Sequence, residues 1–469
     1  MRIAAAALFL LLVAAYSFSM DLRATRGSSI TADEPFYVLT AQSLLEDGDL
    51  DLRQQYERRS YESFFDHPAG LWRQSVPLPD GTLLSPHDPG LSLLIVPGFA
   101  LAGLGGVQAE LLLLAALTFT LTFVLVAAET RAPLLSWLVT AAVALSATAF
   151  VYATEVYPEI PAALLLVASL LVVRGARPGL PHALGLAALL TALAWLGVKY
   201  VPLAAIVGAF FVLRAPRTER LAFIGSSAAS AGLYVWGHLA LFGALTPYSV
   251  STVYEGAGTL EVLRSHLGFA DRAYRLYGLF IDRDFGIGRW APILLLVPVA
   301  LPVLMRAGST ARLAAGLVVA QLLVATFVAI TMMGWWFPGR TLMTVFPLFA
   351  VAIALLLQRV PRLGTLAAVG AGWSVLVTAA LALAASRGEL TLAVDPFDLA
   401  FPLFRLPGAA FPSYTAWGPD TVLLTLAWLA LGGAGMYAVV RAERTRSRRA
   451  PARATALAGG AGSLGARSP

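Results

Sequence analysis

The chain has no cysteine and a single lysine, Lys199. The first absence excludes disulfides and thiol chemistry and leaves the redox compartment open. Charge is scarce as well: 13% of the 469 residues are Asp, Glu, Lys or Arg, about half the share usual in soluble proteins, while 58% are hydrophobic. So little charge cannot cover the surface of a soluble domain. The formal net charge of +6 calls for no nucleic acid, because arginines in short loops and an Arg-rich C-terminal stretch account for it. No internal repeat is visible.

What is present is a series of apolar runs of roughly 20 residues, the length that crosses a hydrocarbon core. The pattern predicts an all-α polytopic membrane protein with about twelve spans, running from 3–20 through 107–128, 159–174 and 341–358 to 420–440. The first run is read as a retained span rather than a cleaved signal peptide. Tyr16-Ser17-Phe18-Ser19-Met20 lacks the small-x-small pattern of a cleavage site. Residues 1–449 form one membrane domain in this reading, and 450–469, rich in Ala, Gly, Ser and Arg, form a disordered cytoplasmic tail.

The arginines set the orientation. With the N-terminus inside, the cytoplasmic turns hold Arg131, then Arg174 with Arg177, then Arg214, Arg217 and Arg220. Arg306 and Arg312, Arg359 and Arg362, and Arg441 to Arg449 follow. That is a positive-inside pattern. It requires the apolar stretch 91–104 to be an interfacial helix, since a further crossing would turn these arginines outward. The long loops 21–106, 243–288 and 386–419 then lie outside.

Chemistry-bearing residues collect on that outer side. Ile30-Thr31-Ala32-Asp33-Glu34-Pro35-Phe36-Tyr37 follows the first span, and Gly48-Asp49 comes after a short helix at 35–46. A carboxylate such as Asp33 can take a proton from a hydroxyl or orient it. Thr31-Ala32-Asp33-Glu34 also matches a capping box, with Thr31 as N-cap and Glu34 reaching back. Tyr152-Ala153-Thr154-Glu155-Val156-Tyr157-Pro158-Glu159 is a second external turn with acids. There Glu155 is a candidate for chemistry, and Glu159 is placed to cap the next span. Lys199 sits between two apolar spans, where a charge is costly and marks function by default; its alternative is a snorkelling anchor. Arg340 closes Gly334-Trp335-Trp336-Phe337-Pro338-Gly339-Arg340, and Arg289 follows Phe285-Gly286-Ile287-Gly288. Their planar forks suit phosphate oxygens or anchor at the interface. His87 and Asp88 stand together before Pro89, too few ligands to define a metal site. His238 lies inside an apolar span and is read as a helix-packing residue.

Taken in order, these features resemble the GT-C superfamily of membrane glycosyltransferases that use lipid-phosphate sugars. The protein O-mannosyltransferases and the lipid A aminoarabinose transferase (glycosyltransferase family 39-like) are examples. The resemblance spans most of 1–360 and is densest in 30–50. It implies a GT-C bundle whose external loops bear interfacial helices. It further implies inverting transfer of a sugar from a polyprenyl-phosphate donor to a lipid, glycan or protein acceptor on the non-cytoplasmic face, at the plasma membrane of a prokaryote. The resemblance assigns Asp33, Glu34 and Glu155 to catalysis, and Lys199, Arg340, Arg289 and His87 to the donor phosphate. His87 stands one place before the position relatives use, because Asp88 directly precedes the proline. Some superfamily members use a divalent metal and others do not, so the cofactor is unassigned and no metal ligands are named. The alternative class is a polytopic transporter or lipid flippase, which would keep its ionisable residues at mid-membrane depth.

Overall fold

The structure, a computed structural model, describes residues 1–175, 179–254 and 269–461. Arg177, part of the 243–288 loop and the end of the tail lie outside them. Among the described residues the regular structure is helical, and the only β-pairings are isolated bridges such as Ser75 with Ser251. Seven helices among the described residues are long and apolar enough to cross a membrane, and five shorter apolar ones run 10–17 residues.

The helices that position the site are labelled in chain order: α1 (Arg2–Tyr16), α2 (Glu34–Glu46), α3 (Gly90–Thr130), α4 (Glu159–Val173), α5 (Leu180–Leu196), α6 (Arg217–Phe242), α7 (Phe346–Arg359) and α8 (Pro419–Ala461). The centre is α3, which packs against α1, α2, α4 and α7. Every residue of α7 from Phe346 to Leu357 is buried, as expected of a helix that is apolar all round. Elsewhere large apolar side chains turn outward: Ile3, Leu101 and Leu213 are 87%, 86% and 81% exposed. Large apolar side chains turned outward on this scale fit a lipid environment.

α3 is two helices joined by a sharp bend. Ala102 and Gly103 have non-helical backbone, with Gly103 at φ +57°, a left-handed conformation that glycine adopts without strain. The arms then close on each other. A Cβ on Gly106 would lie 2.0 Å from the Gly98 carbonyl oxygen, so the contact needs glycine. Glu110 Oε2 accepts the Gly98 N–H at 3.0 Å. The arm from Gly90 to the bend is roughly 18 Å long, too short for a core of about 30 Å. The break falls where the sequence separates a short helix at 91–104 from a longer run at 107–128.

The helices also have two chemically distinct ends. α4 starts at Glu159 and is followed at its other end by Arg174, which donates to Glu129 Oε1 and the Ala128 carbonyl, each at 2.8 Å. Close by, Gln358 donates to the Thr130 carbonyl at 2.5 Å. Arg359, at the end of α7, pairs with Glu443 at 3.4 Å. Arginine-bearing turns therefore gather at the ends of α4 and α7 away from Glu159 and Arg340. α8 continues to Ala461, past the end at 440 expected for the last span.

Candidate functional site

The site begins with the turn before α2. Ala32 has φ +51°, which reverses the chain between Thr31 and Asp33. Glu34 reaches back so that its Oε1 accepts the Thr31 N–H at 3.0 Å, and its Oε2 accepts the Val156 N–H at 2.9 Å. Thr31 is therefore not the N-cap of α2 and the expected capping box does not form; Glu34 braces the turn before the helix and ties the first loop to the second. Asp33, although it occupies the N-cap, makes no side-chain cap. Its carboxylate is free to meet Arg340.

Arg340 is delivered by a constrained turn. Gly339 has φ +91°, and a Cβ there would sit 2.8 Å from both Thr148 and Ile287 side-chain carbons. The preceding carbonyls are pinned by Tyr152, whose hydroxyl donates to Phe337 O at 2.5 Å, and by Thr148, which donates to Pro338 O at 3.1 Å. The guanidinium stacks 3.8 Å from the Tyr157 ring centre, with Trp336 at 5.2 Å. Its Nη2 donates to Asp33 Oδ2 at 2.8 Å and its Nε to Glu159 Oε1 at 3.2 Å. Lys199 Nζ donates to the same Glu159 oxygen at 2.7 Å. Two carboxylates and two cations thus form one chain: Asp33, Arg340, Glu159, Lys199. The second oxygen of Glu159 is buried and has no hydrogen-bond partner among the described residues. The chain links residues from four separate parts of the sequence.

Electrostatics separate the acids. Burial alone would raise Asp33, but the Arg340 guanidinium outweighs it, with His87 and Lys199 adding to the effect, and the carboxyl is held down at about 2. Glu34 is pushed up to about 7 by burial, against the pull of its two backbone N–H donors. Burial, and then the Glu34 charge, raise Glu155 well above the carboxylate range. Glu155 Oε2 is also buried and has no hydrogen-bond partner among the described residues. Within this pair Glu34 accepts two backbone N–H bonds, which offset part of the effect of its burial.

The structure separates the residues that the sequence grouped. Glu159, read there as a cap, is the carboxylate between the two cations, whereas Glu155 faces Glu34 and touches neither cation. Arg289 is not part of the cluster: it stacks 3.7 Å from the Phe404 ring centre and donates to Phe404 O at 3.0 Å and Arg283 O at 2.8 Å. It anchors the 386–419 loop. His87 lies 3.9 Å from Asp33, beyond hydrogen-bond reach, and bonds Gln74 at 3.0 Å while stacking on Tyr37 at 4.7 Å. Burial pushes its imidazole down, so at neutral pH it offers a phosphate no positive charge. Lys199, read as a cation in an apolar turn, has a buried carboxylate partner.

His87 and Asp88 also point apart, which removes them as a metal pair. Asp88 accepts the Tyr234 hydroxyl at 3.1 Å, His238 Nε2 at 3.0 Å and the Val198 N–H at 3.3 Å. His238, instead of packing through apolar contact alone, joins α6 to the turn that carries Lys199. No periodicity signals this pairing, because Asp88 lies 150 residues away in an irregular segment. Among the described residues no group of three or more His, Asp and Glu is placed to hold a metal. No protein-family profile, curated protein or solved structure matches the chain.

Proposed function

We propose that the chain is an integral-membrane glycosyltransferase of GT-C type. It crosses the membrane about twelve times and transfers a sugar from a polyprenyl-phosphate donor to an acceptor hydroxyl on the external face of a prokaryotic plasma membrane. The observation that carries this reading is the double engagement of Arg340, bonded to Asp33 at 2.8 Å and to Glu159 at 3.2 Å. A base and two cations at one end of a helix bundle are the parts such a transfer requires.

The leaving group is a phosphate, which needs charge stabilisation more than a proton. Arg340 and Lys199 supply it. As the donor phosphate takes over the Arg340 fork, Asp33 loses the charge that holds its carboxyl low and becomes a stronger base. The acceptor oxygen then attacks the anomeric carbon. The bond from that carbon to the phosphate oxygen breaks, its electron pair stays on the phosphate, and the hydroxyl proton passes to Asp33. One displacement inverts the anomeric centre. Glu159 keeps Lys199 and Arg340 aimed between turnovers.

One observation favours the transporter reading instead: Arg340 is 8% and Glu159 1% exposed, and buried ion pairs in membrane proteins often mark a pathway. Detergent-solubilised protein separates the two, since transport needs two compartments and transfer does not. A panel of radiolabelled polyprenyl-phosphate sugars is incubated with membrane acceptors and the solubilised protein. Release of polyprenyl phosphate coupled to sugar transfer supports the transferase. Its absence, together with donor movement across proteoliposomes, removes it.

A further inference from the structure

Resting on the transferase reading, we propose that a cavity of about 250 Å³ beside the Asp33 turn is the acceptor site. Its ligand is a neutral, hydroxyl-rich sugar ring, the terminal residue of a glycan or glycolipid. Thr31, Phe65, Trp72 and Trp335 line it together with Arg26 and Asp395. These come from the first loop, the turn before Arg340 and the 386–419 loop.

The position ties the cavity to the chemistry. The Thr31 N–H holds Glu34 Oε1 at 3.0 Å, and Asp33, the proposed base, is two residues further on. On the other side, Trp335 lines the cavity while the next residue, Trp336, lies 5.2 Å over the Arg340 guanidinium. The cavity is therefore bounded in part by the same two chain segments that carry Asp33 and Arg340. A hydroxyl on a ring held here lies on the Asp33 side of the cluster.

The lining selects the chemical class. A sugar ring has an apolar C–H face and a girdle of hydroxyls, so it is recognised by an aromatic plate together with mixed donors and acceptors at the edge. Trp72 and Trp335 keep 40% and 56% of their surface exposed, large for rings that line a cavity. Trp72 is held in place by edge contacts at 5.8 Å to Phe36 and to Phe65. Arg26 donates to Asp395 at 2.9 Å, and Asp395 also accepts the Thr391 N–H at 2.6 Å. That pair offers donors and acceptors with no net charge. Among the described lining residues the one arginine, Arg26, is already paired with Asp395, which disfavours a phosphate here relative to the Arg340 and Lys199 cluster. The volume falls below the roughly 300–1,000 Å³ of pockets for drug-sized ligands, which fits one ring and not a folded peptide segment.

The test needs no donor. Methyl glycosides of mannose, galactose and glucose are titrated into detergent-solubilised wild-type protein and followed by saturation-transfer NMR. Inorganic phosphate and acetyl-threonine amide serve as competitors. The expected result is saturable binding of at least one glycoside, about tenfold weaker in Trp335→Ala and in Asp395→Asn, retained in Trp335→Phe, and not displaced by either competitor. Thermal midpoints of the variants show that they are folded. Absent glycoside binding, binding unchanged in Trp335→Ala and Asp395→Asn, or displacement by acetyl-threonine amide overturns the proposal. In the unchanged case the tryptophans are interfacial anchors. Transfer activity distinguishes the two levels. Turnover that Trp335→Ala leaves intact sinks the acceptor site alone, whereas glycoside binding with no turnover from any donor sinks the transferase.

Discussion

Replacing Arg340 with methionine tests the centre of the site. Methionine keeps an apolar stem of similar length between Tyr157 and Trp336 and deletes the guanidinium. At an effective dielectric near 20, each unit-charge pair about 4 Å apart is worth about 4 kcal/mol, so Arg340 contributes about 8 kcal/mol of attraction to Asp33 and Glu159 together. Desolvating a buried cation costs several kcal/mol in return. Asp33 also remains 24% exposed and Glu159 keeps Lys199 at 2.7 Å, so neither carboxylate is left wholly uncompensated. The net destabilisation expected is about 3–5 kcal/mol, the usual range for removing one partner of a buried pair. Arg340→Lys should recover only part of it, because a single ammonium cannot form two directed bonds to carboxylates on different elements. The second variant that fixes the cause is Arg340→Met with Asp33→Asn: removing the carboxylate that has lost its arginine partner should restore a measurable fraction of the loss. Thermal unfolding in one detergent, with wild type, these three variants and the single Asp33→Asn side by side, reads these differences. Arg340→Met as stable as wild type, or a double variant less stable than the sum of its singles predicts, would refute the picture of Arg340 as the clamp between two carboxylates.

Asp33→Asn keeps the shape, and activity should fall by the roughly 10²–10⁴-fold typical of a lost acid–base group; wild-type turnover would remove Asp33 from the mechanism. Lys199→Met should lower stability by about 1.5–3 kcal/mol, since it strips a charge-assisted hydrogen bond from buried Glu159, and it should weaken donor binding; unchanged donor affinity would leave Arg340 as the sole phosphate ligand. Stability should also depend on pH through Glu34. Its folded value of about 7 lies above the ordinary 4.5, so its contribution is fully present below 4.5 and is lost as pH rises through 7. Glu155 is also raised by burial and acts in the same direction, so the fall in thermal midpoint over that window should be smaller in Glu34→Gln than in wild type, and a fall of undiminished size in Glu34→Gln rejects the assignment. Asp33 acts at the other extreme, adding stability that is lost as pH falls from 3.8 through about 2. Finally, single cysteines at Glu155 and Arg217, clean to label because the chain has none of its own, should react from opposite faces of the membrane; labelling of both from one face would overturn the orientation.

Composition and periodicity determined the helical membrane class, because a bilayer imposes one demand on every span: about 20 apolar residues with their backbone bonds made internally. The arginine distribution likewise separated the two ends of the helices, and Asp33, Lys199 and Arg340 were legible because a charge beside an apolar run stands out against its neighbours. Which partner each charge takes was decided only by packing. Glu155 and Glu159 stand four residues apart around Pro158, equally acidic in sequence. The Glu34 strut to Val156 and the start of α4 at Glu159 turn one toward Glu34 and the other toward Arg340. Arg289 and Arg340 both follow glycine, yet the aromatic surface of Phe404 holds the first, while Tyr157, Asp33 and Glu159 hold the second. The Asp88–His238 tether was equally invisible, as was the placing of the tryptophan-lined cavity beside the Asp33 turn. Such contacts join segments more than a hundred residues apart in irregular backbone, where no local propensity or period records a partner.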